Sequence, residues 1–178
     1  MTAPGPAGSG SEGSRQPFGT REFRDSLGAF VTGVTVITTT GDDGPHGMTA
    51  NAFSSLSLDP PLVLVCVVQG TPSAAAIQGN GVFAVNVLAA DQEPLSRYFA
   101  SRDRPRGTAA FASVAHKVLE SGSPILDGVC AYLDCRLTAD HPGGDHRILV
   151  GEVLAIGTDP SREPLVFHGG AYRQLDTS

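Results

Sequence analysis

The chain has 178 residues, 40% hydrophobic and 17% charged, which bounds it to about one soluble globular domain with a sizeable core. A net charge of −6 without a basic cluster argues against nucleic acid as a partner, and no apolar run approaches the ~20 residues that span a bilayer. Cys66, Cys130 and Cys135 form no C-x-x-C, so they read as free thiols of a reducing compartment and cannot alone build a metal quartet.

The first 17 residues, MTAPGPAGSGSEGSRQP, are rich in Gly, Ser, Pro and Ala and lack the apolar core of a signal peptide. They are expected to be a disordered tail, with a cytoplasmic location by default. No internal repeat or second linker follows, so residues 18–178 are expected to be one domain. Residues 20–30 predict a helix capped by Thr20, with Phe23, Leu27 and Phe30 along one side. Residues 31–40 (VTGVTVITTT) are β-branched and nearly alternating, which predicts a strand. GDDGPHG reads as a turn and residues 48–57 as the returning strand. Residues 62–68 (LVLVCVV) form a continuous apolar run, predicting a fully buried strand.

Thr71-Pro72 opens a helix that ends at Gly79, and residues 82–88 (VFAVNVL) read as the next strand. A helix from Asp91 to about Ser101 carries Leu95, Tyr98 and Phe99 on one side. Residues 102–120 show no clear period. Residues 129–139 and 147–157 read as strands, and 165–168 and 172–174 as short ones. About seven strands with a few short helices predict a mainly β fold, a closed barrel. The repeated strand–helix alternation of a dinucleotide-binding sheet is missing.

The stretch GMTANAFSSLSLDPPLV (47–63) is unusual in holding no ionisable side chain from Gly47 to Leu58. Its Thr49, Asn51, Ser54 and Ser55 suit either an edge strand facing water or a cradle for a flat heterocycle with carbonyl and imide edges. Thr71 and Ser73, at a helix start, are caps or phosphate ligands. Asn86, inside an apolar strand, must find partners, in a ligand or between two loops. His141 and His146 with Asp140 and Asp145 are weighed as a metal set, but Gly143-Gly144 leaves the ligand geometry undefined, and no metal is expected. His46 and His116 read as surface residues.

The ordered set TGVTVIT (32–38), GMTANAFSSLSLDPPLV (47–63), FAVNVL (83–88), GDHRILVGEV (144–153) and PLVFHGGAYRQL (164–175) closely resembles the flavin reductase-like proteins, the reductase components of two-component flavin monooxygenases. The resemblance implies an FMN-binding split barrel of Greek-key type and a homodimer. It implies an oxidoreductase that passes hydride from NADH or NADPH to FMN or FAD. Reduced flavin would then diffuse to a partner flavin-dependent oxygenase. Carried over by motif, Thr32, Gly33, Val34 and Thr35 lie against the flavin. Thr49, Ala50, Asn51, Ser54 and Ser55 contact the isoalloxazine and ribityl chain, and Cys66 passes the site or is a small buried hydrophobe. Thr71 and Ser73 would hold a phosphate. Asn86, Ser96, Phe99, His168 and Tyr172 complete the cofactor candidates, Phe99 doubling as core.

His146 resembles the histidine facing the nicotinamide and is the catalytic candidate, able to bond the carboxamide or phosphate oxygens and to supply a proton or positive charge. The alternative is a hydrogen-bonded histidine at a strand start, and the first reading is preferred. Arg102, Arg104 and Arg106 either neutralise the NADH pyrophosphate or form a solvated loop. Hydride transfer is the cofactors' own chemistry, so the missing G-x-G-x-x-G is no objection. A non-catalytic flavin-binding or electron-transfer protein on the same barrel is the alternative, followed by an oxidase that keeps its FMN. The choices between FMN and FAD, and between NADH and NADPH, stay open at this level.

Overall fold

A computed structural model describes residues 17–42 and 44–175. All but the last residue of the expected tail lie outside the described residues. The first half of the chain runs α1 (Thr20–Gly28), β1 (Thr32–Gly33), β2 (Thr35–Gly41), β3 (Gly44–Ala50), β4 (Phe53–Leu58), β5 (Pro61–Val68) and α2 (Pro72–Asn80). It continues through β6 (Val82–Val87), a single 3₁₀ turn at Ala90–Gln92, α3 (Glu93–Ala100), α4 (Thr108–Phe111), β7 (His116–Val118) and β8 (Pro124–Leu126). Two long strands, β9 (Ala131–Gly143) and β10 (His146–Thr158), precede the short β11 (Val166–His168) and β12 (Ala171–Arg173).

Seven strands form the main sheet in the order β3-β2-β6-β9-β10-β5-β4. Its two edges, β3 and β4, are consecutive in the chain and separated only by Asn51 and Ala52. Two residues span at most ~7 Å of extended chain, so the sheet must curl until its edges nearly meet. Register shifts on β10 at Val150/Gly151 and Val153/Ala155 supply the bend that such curling needs. Gly151 is the close-approach point: a Cβ there would sit 2.5 Å from Phe83 Cζ. The ladder does not close between β3 and β4 among the described residues, so the expected closed barrel is seen as a mainly β, open and curled sheet.

Two apolar clusters hold the sheet. Ile37, Val63, Val65, Val67, Phe83, Val85, Leu149 and Cys135 pack on one face with Ala74 and Ile77 of α2. Val34, Val36, Leu88, Phe99, Phe111, Leu126 and Leu165 form the second, which α3 and α4 cover. The side strip β1-β11-β12 joins this second layer and turns at Gly169-Gly170, both at positive φ.

Several expectations change. The helix at residues 20–30 ends at Gly28, its N-cap is Gly19 rather than Thr20, and none of its residues is buried. Phe23, Leu27 and Phe30 are 49%, 58% and 76% exposed, so among the described residues the apolar side that period 3.6 marks is covered by little beyond the Phe18 ring on Phe23. Residues 48–57 are not one returning strand: β3 starts earlier, inside the expected turn, and the chain leaves one sheet edge for the other at Asn51-Ala52. Pro45 is tolerated in β3 because an edge strand does not need its N–H. The run at 62–68 is buried on one face only: Val63, Val65 and Val67 are buried while Leu62, Leu64 and Cys66 are half-buried and Val68 is 44% exposed.

Candidate active site

A pocket of about 550 Å³ lies across the break in the sheet. One wall is β3, from Pro45 to Thr49; the facing wall is Val68 at the end of β5, with Gly70 to Ser73 entering α2. The third side is the end of α3 and the loop through Arg102, Arg104 and Arg106 to Gly107. The pocket therefore lies between β3 and the end of β5, with α2 and α3 on its flanks.

Local sequence explains each wall. Gly47 sits in β3 where a Cβ would lie 2.5 Å from the Phe99 ring, so only glycine lets α3 lie down on the strand. Phe99 is 1% exposed and packs at 5.2 Å on Phe111 and on Tyr98, which makes it core that only borders the pocket. Thr49 Oγ1 donates to the Ser96 carbonyl at 2.6 Å, and the Ser96 hydroxyl shares a 2.8 Å hydrogen bond with Tyr172. Arg97 stacks over the Tyr172 ring at 4.7 Å, and Phe167 meets it edge-on at 5.4 Å. Three of the sequence candidates, Thr49, Ser96 and Tyr172, thus form one chain that ties β3, α3 and β12 together.

Thr71 and Ser73 separate cleanly. Thr71 is the N-cap of α2: its Oγ1 accepts from the Ala74 N–H at 3.2 Å and donates to the Val68 carbonyl at 3.0 Å. Its hydroxyl is spent. Ser73 is only 7% exposed, lines the pocket, and its hydroxyl makes no hydrogen bond among the described residues. A buried hydroxyl at a helix N-terminus, beside N–H groups with no intrahelical acceptor, is a ready anion ligand.

Arg104 crosses the pocket's third side. Its guanidinium donates to the carbonyls of Ser101 and Gly47 and stands 5.7 Å from the Phe99 ring centroid. Burial lowers its pKa from the ordinary value; the Tyr98 phenol opposes that shift and Arg106 adds to it. Arg102 and Arg106 are exposed and make no ion pair with a described residue.

The remaining candidates lie outside this pocket. Asn51, Ser54 and Ser55 are exposed at the corner and on β4, and Ser54 Oγ donates to the Ser55 carbonyl. Ala50 and Val34 are buried, and Thr35, 3% exposed, donates its hydroxyl to the Ala50 carbonyl. Thr35 therefore offers no free donor: alternation turns its side chain inward. Asn86 is fully buried and spends its amide on Val36, Thr38 and Pro124 while its oxygen accepts from the Leu126 N–H. That makes Asn86 a clamp between β2, β6 and β8, and its side chain has nothing left for a ligand. Gly33 is exposed on β1, and the Thr32 hydroxyl beside it is buried without a hydrogen-bond partner among the described residues. Cys66 is half-buried on the outward face of β5, opposite Ile148. His168 is half-buried on β11, next to the turn whose Gly169 N–H bonds the Gly28 carbonyl.

His146 begins β10 directly across from Val68, a pocket wall, so it stands at the rim rather than inside. Its Nδ1 is 2.7 Å from Asp145 Oδ1, and this bond holds the Asp145 carboxyl below the usual carboxylate range. With Nδ1–H given to a carboxylate, Nε2 is the nitrogen left to face a ligand. Asp140 is engaged elsewhere: Arg147 Nε donates to it at 2.7 Å and Gln78 at 2.6 Å, so it is not turned toward the imidazole.

Sequence reasoning missed Gly47 and the role of residues 100–107 as a wall. A glycine inside an alternating strand was the available signal for the first. The arginine triplet was visible, but nothing local shows that its loop folds back over β3.

A mainly β protein with a curled, open sheet and a pocket beside β3 is the class that the fold defines. The family model for the flavin reductase like domain matches residues 27–176, and the chain belongs to that family. It is 44% identical over 152 residues to "FMN reductase (NADH) SmoA" of Agrobacterium fabrum, covering 85% of this chain and 84% of that one. It is 42% identical over 156 residues to the reductase subunit HsaB of a flavin-dependent monooxygenase in Rhodococcus jostii, covering 88% of this chain and 78% of the other. Among solved structures, the NADH:FAD oxidoreductase SgcE6 of Streptomyces globisporus superposes with a TM-score of 0.85 at 41% identity, over 90% of this chain and 96% of that one.

Proposed function

We propose that the protein is an NAD(P)H-dependent flavin reductase that supplies reduced FMN or FAD to a partner flavin-dependent monooxygenase. The observation that carries the reading is the pocket at the sheet gap, with the unspent Ser73 hydroxyl at the α2 N-terminus. A phosphorylated flavin fits it: a phosphate meets Ser73, and uncharged groups lead toward the Asn51 corner. When bound, flavin supplies the hydride acceptor and NADH the donor.

The residues then do the rest. Asn51, Ser54 and Ser55 bond the ring and ribityl edges without placing a charge beside them. Ser96 and Tyr172 hold Thr49 and α3 in place. His146 at the rim, oriented through Nδ1 by Asp145, turns Nε2 toward the nicotinamide carboxamide and carries a proton there. In this reading the curled sheet is a split barrel, and the exposed apolar side of α1 belongs to a homodimer interface. A cytoplasmic site of action follows from the supply of reduced flavin to a partner enzyme.

The test is steady-state oxidation of NADH and NADPH with FMN, FAD and riboflavin, with His146→Ala and Asn51→Ala beside the parent. Loss of a positioned proton donor is expected to cost about 10²-fold or more in His146→Ala. Asn51→Ala is expected to raise KM for flavin more than it lowers kcat. Unchanged rates in both variants remove this assignment of the site.

A further inference from the structure

The loop that forms the pocket's third side is held to the rest of the chain at one point between its ends. Arg102, Asp103, Pro105 and Arg106 are exposed, and only Arg104 is drawn inward. The ends are fixed. The Ser101 N–H closes α3 on the Arg97 carbonyl at 3.1 Å, and the Gly107 carbonyl accepts from the Ala110 N–H at 3.0 Å. Gly107 is buried at φ 58° and ψ −143°, a backbone state that residues with a side chain rarely adopt. Beyond it the chain packs on Gly44 so closely that a Cβ there would lie 2.9 Å from the Thr108 N. Among the described residues, the bond from Arg104 to the Gly47 carbonyl is the one hydrogen bond that ties residues 102–106 to another element. Gly47 lies on β3, an edge of the main sheet, and an edge strand presents carbonyls that have no strand partner.

We propose that residues 101–107 are a flap over the pocket, hinged at Gly107 and latched shut by the Arg104 guanidinium on the Gly47 carbonyl. The second bond of the guanidinium, to the Ser101 carbonyl, folds the flap back on its own start and sets the reach of the side chain. A charge-assisted bond to a carbonyl is stronger than a neutral one, which keeps the flap down. Its donors and its acceptor both regain water on opening, so the flap lifts without disturbing the core. Both latch partners belong to the chain, so the latch sets how fast a ligand enters and leaves rather than how tightly it is held. The latch is a property of the chain alone; that the gated ligand is a flavin rests on the proposed function.

Limited trypsin digestion without flavin reads the flap directly, because cleavage tracks the open population when opening is fast. The bond after Arg106 is a cut site, whereas Arg104 precedes Pro105 and is not, so replacing Arg104 removes no cut. Arg104→Gln is expected to speed cleavage after Arg106 about tenfold, the scale of one charge-assisted hydrogen bond. Arg104→Lys, whose single ammonium does not match the guanidinium fork, is expected to fall between the two. Cleavage of Arg104→Gln at the parent's rate overturns the latch. Should Arg104→Gln be cut faster at every site together, it has unfolded as a whole, and Arg104→Lys decides by the same comparison. A second arm follows FMN fluorescence in stopped flow. A gate raises the association and dissociation rates by a similar factor and leaves Kd near the parent's value. A rise in dissociation alone, with Kd weakened to match, makes Arg104 a ligand contact and contradicts the gate, as do two unchanged rates. A protein that binds no flavin sinks the proposed function, while the trypsin comparison still decides the latch.

Discussion

At the scale of single residues, most candidates could be found in the sequence but not sorted. Asn86 announced itself as a polar side chain in an apolar strand, yet nothing local told ligand from clamp. Four hydrogen bonds to β2 and β8 decide for the clamp. Thr71 and Ser73 looked alike, and only the geometry of the α2 cap spends one hydroxyl and leaves the other. Asp140, one of four residues in a possible metal set, is held instead by Arg147 and Gln78. The Arg147 hydrogen bond, followed by that of Gln78 against a burial cost, keeps its pKa below the usual carboxylate value. A depressed folded pKa means stability that is complete above the unfolded value of about 3.9 and is lost as pH falls through the folded one. Asp140→Asn is therefore expected to be less stable than the parent at neutral pH, with the gap narrowing in acid below about pH 4. Urea midpoints at the two pH values check this, and a gap that persists unchanged in acid contradicts it.

At the scale of elements, strands were easier to place than their partners. The positions of β2, β5, β6, β9 and β10 follow from β-branched, alternating runs. What the alternation could not encode was the corner at Asn51-Ala52, because both sides of it keep a strand-like pattern while pairing with opposite edges of the sheet. The same corner creates the pocket, so the site's location was illegible for the reason the sheet's curl was. α1 is the opposite case: its period of 3.6 was plain, but no described residue buries its apolar side. Phe23 and Leu27 are half-exposed and Phe18 stacks on Phe23 at 5.4 Å, a contiguous apolar surface that water disfavours. A second copy covering this face predicts a dimer for the parent in sedimentation velocity and a shift toward monomer for Phe23→Asp/Leu27→Asp. A monomeric parent removes α1 from any interface.

At the scale of the whole molecule, the fold serves one arrangement. The curled sheet leaves a space between β3 and the end of β5, and the N-terminal turn of α2, the end of α3 and the arginine loop after it line that space. No helix among the described residues is long and apolar enough to cross a membrane. The family was legible in five ordered motifs, whereas which motif residues face a ligand needed three dimensions. The most direct measurement is anaerobic mixing of the protein with NADH and oxidised FAD or FMN, following the loss of oxidised-flavin absorbance. The account predicts rapid bleaching that depends on the protein and is slowed in His146→Ala. Flavin that stays oxidised at the rate of the protein-free control, with both NADH and NADPH, contradicts it.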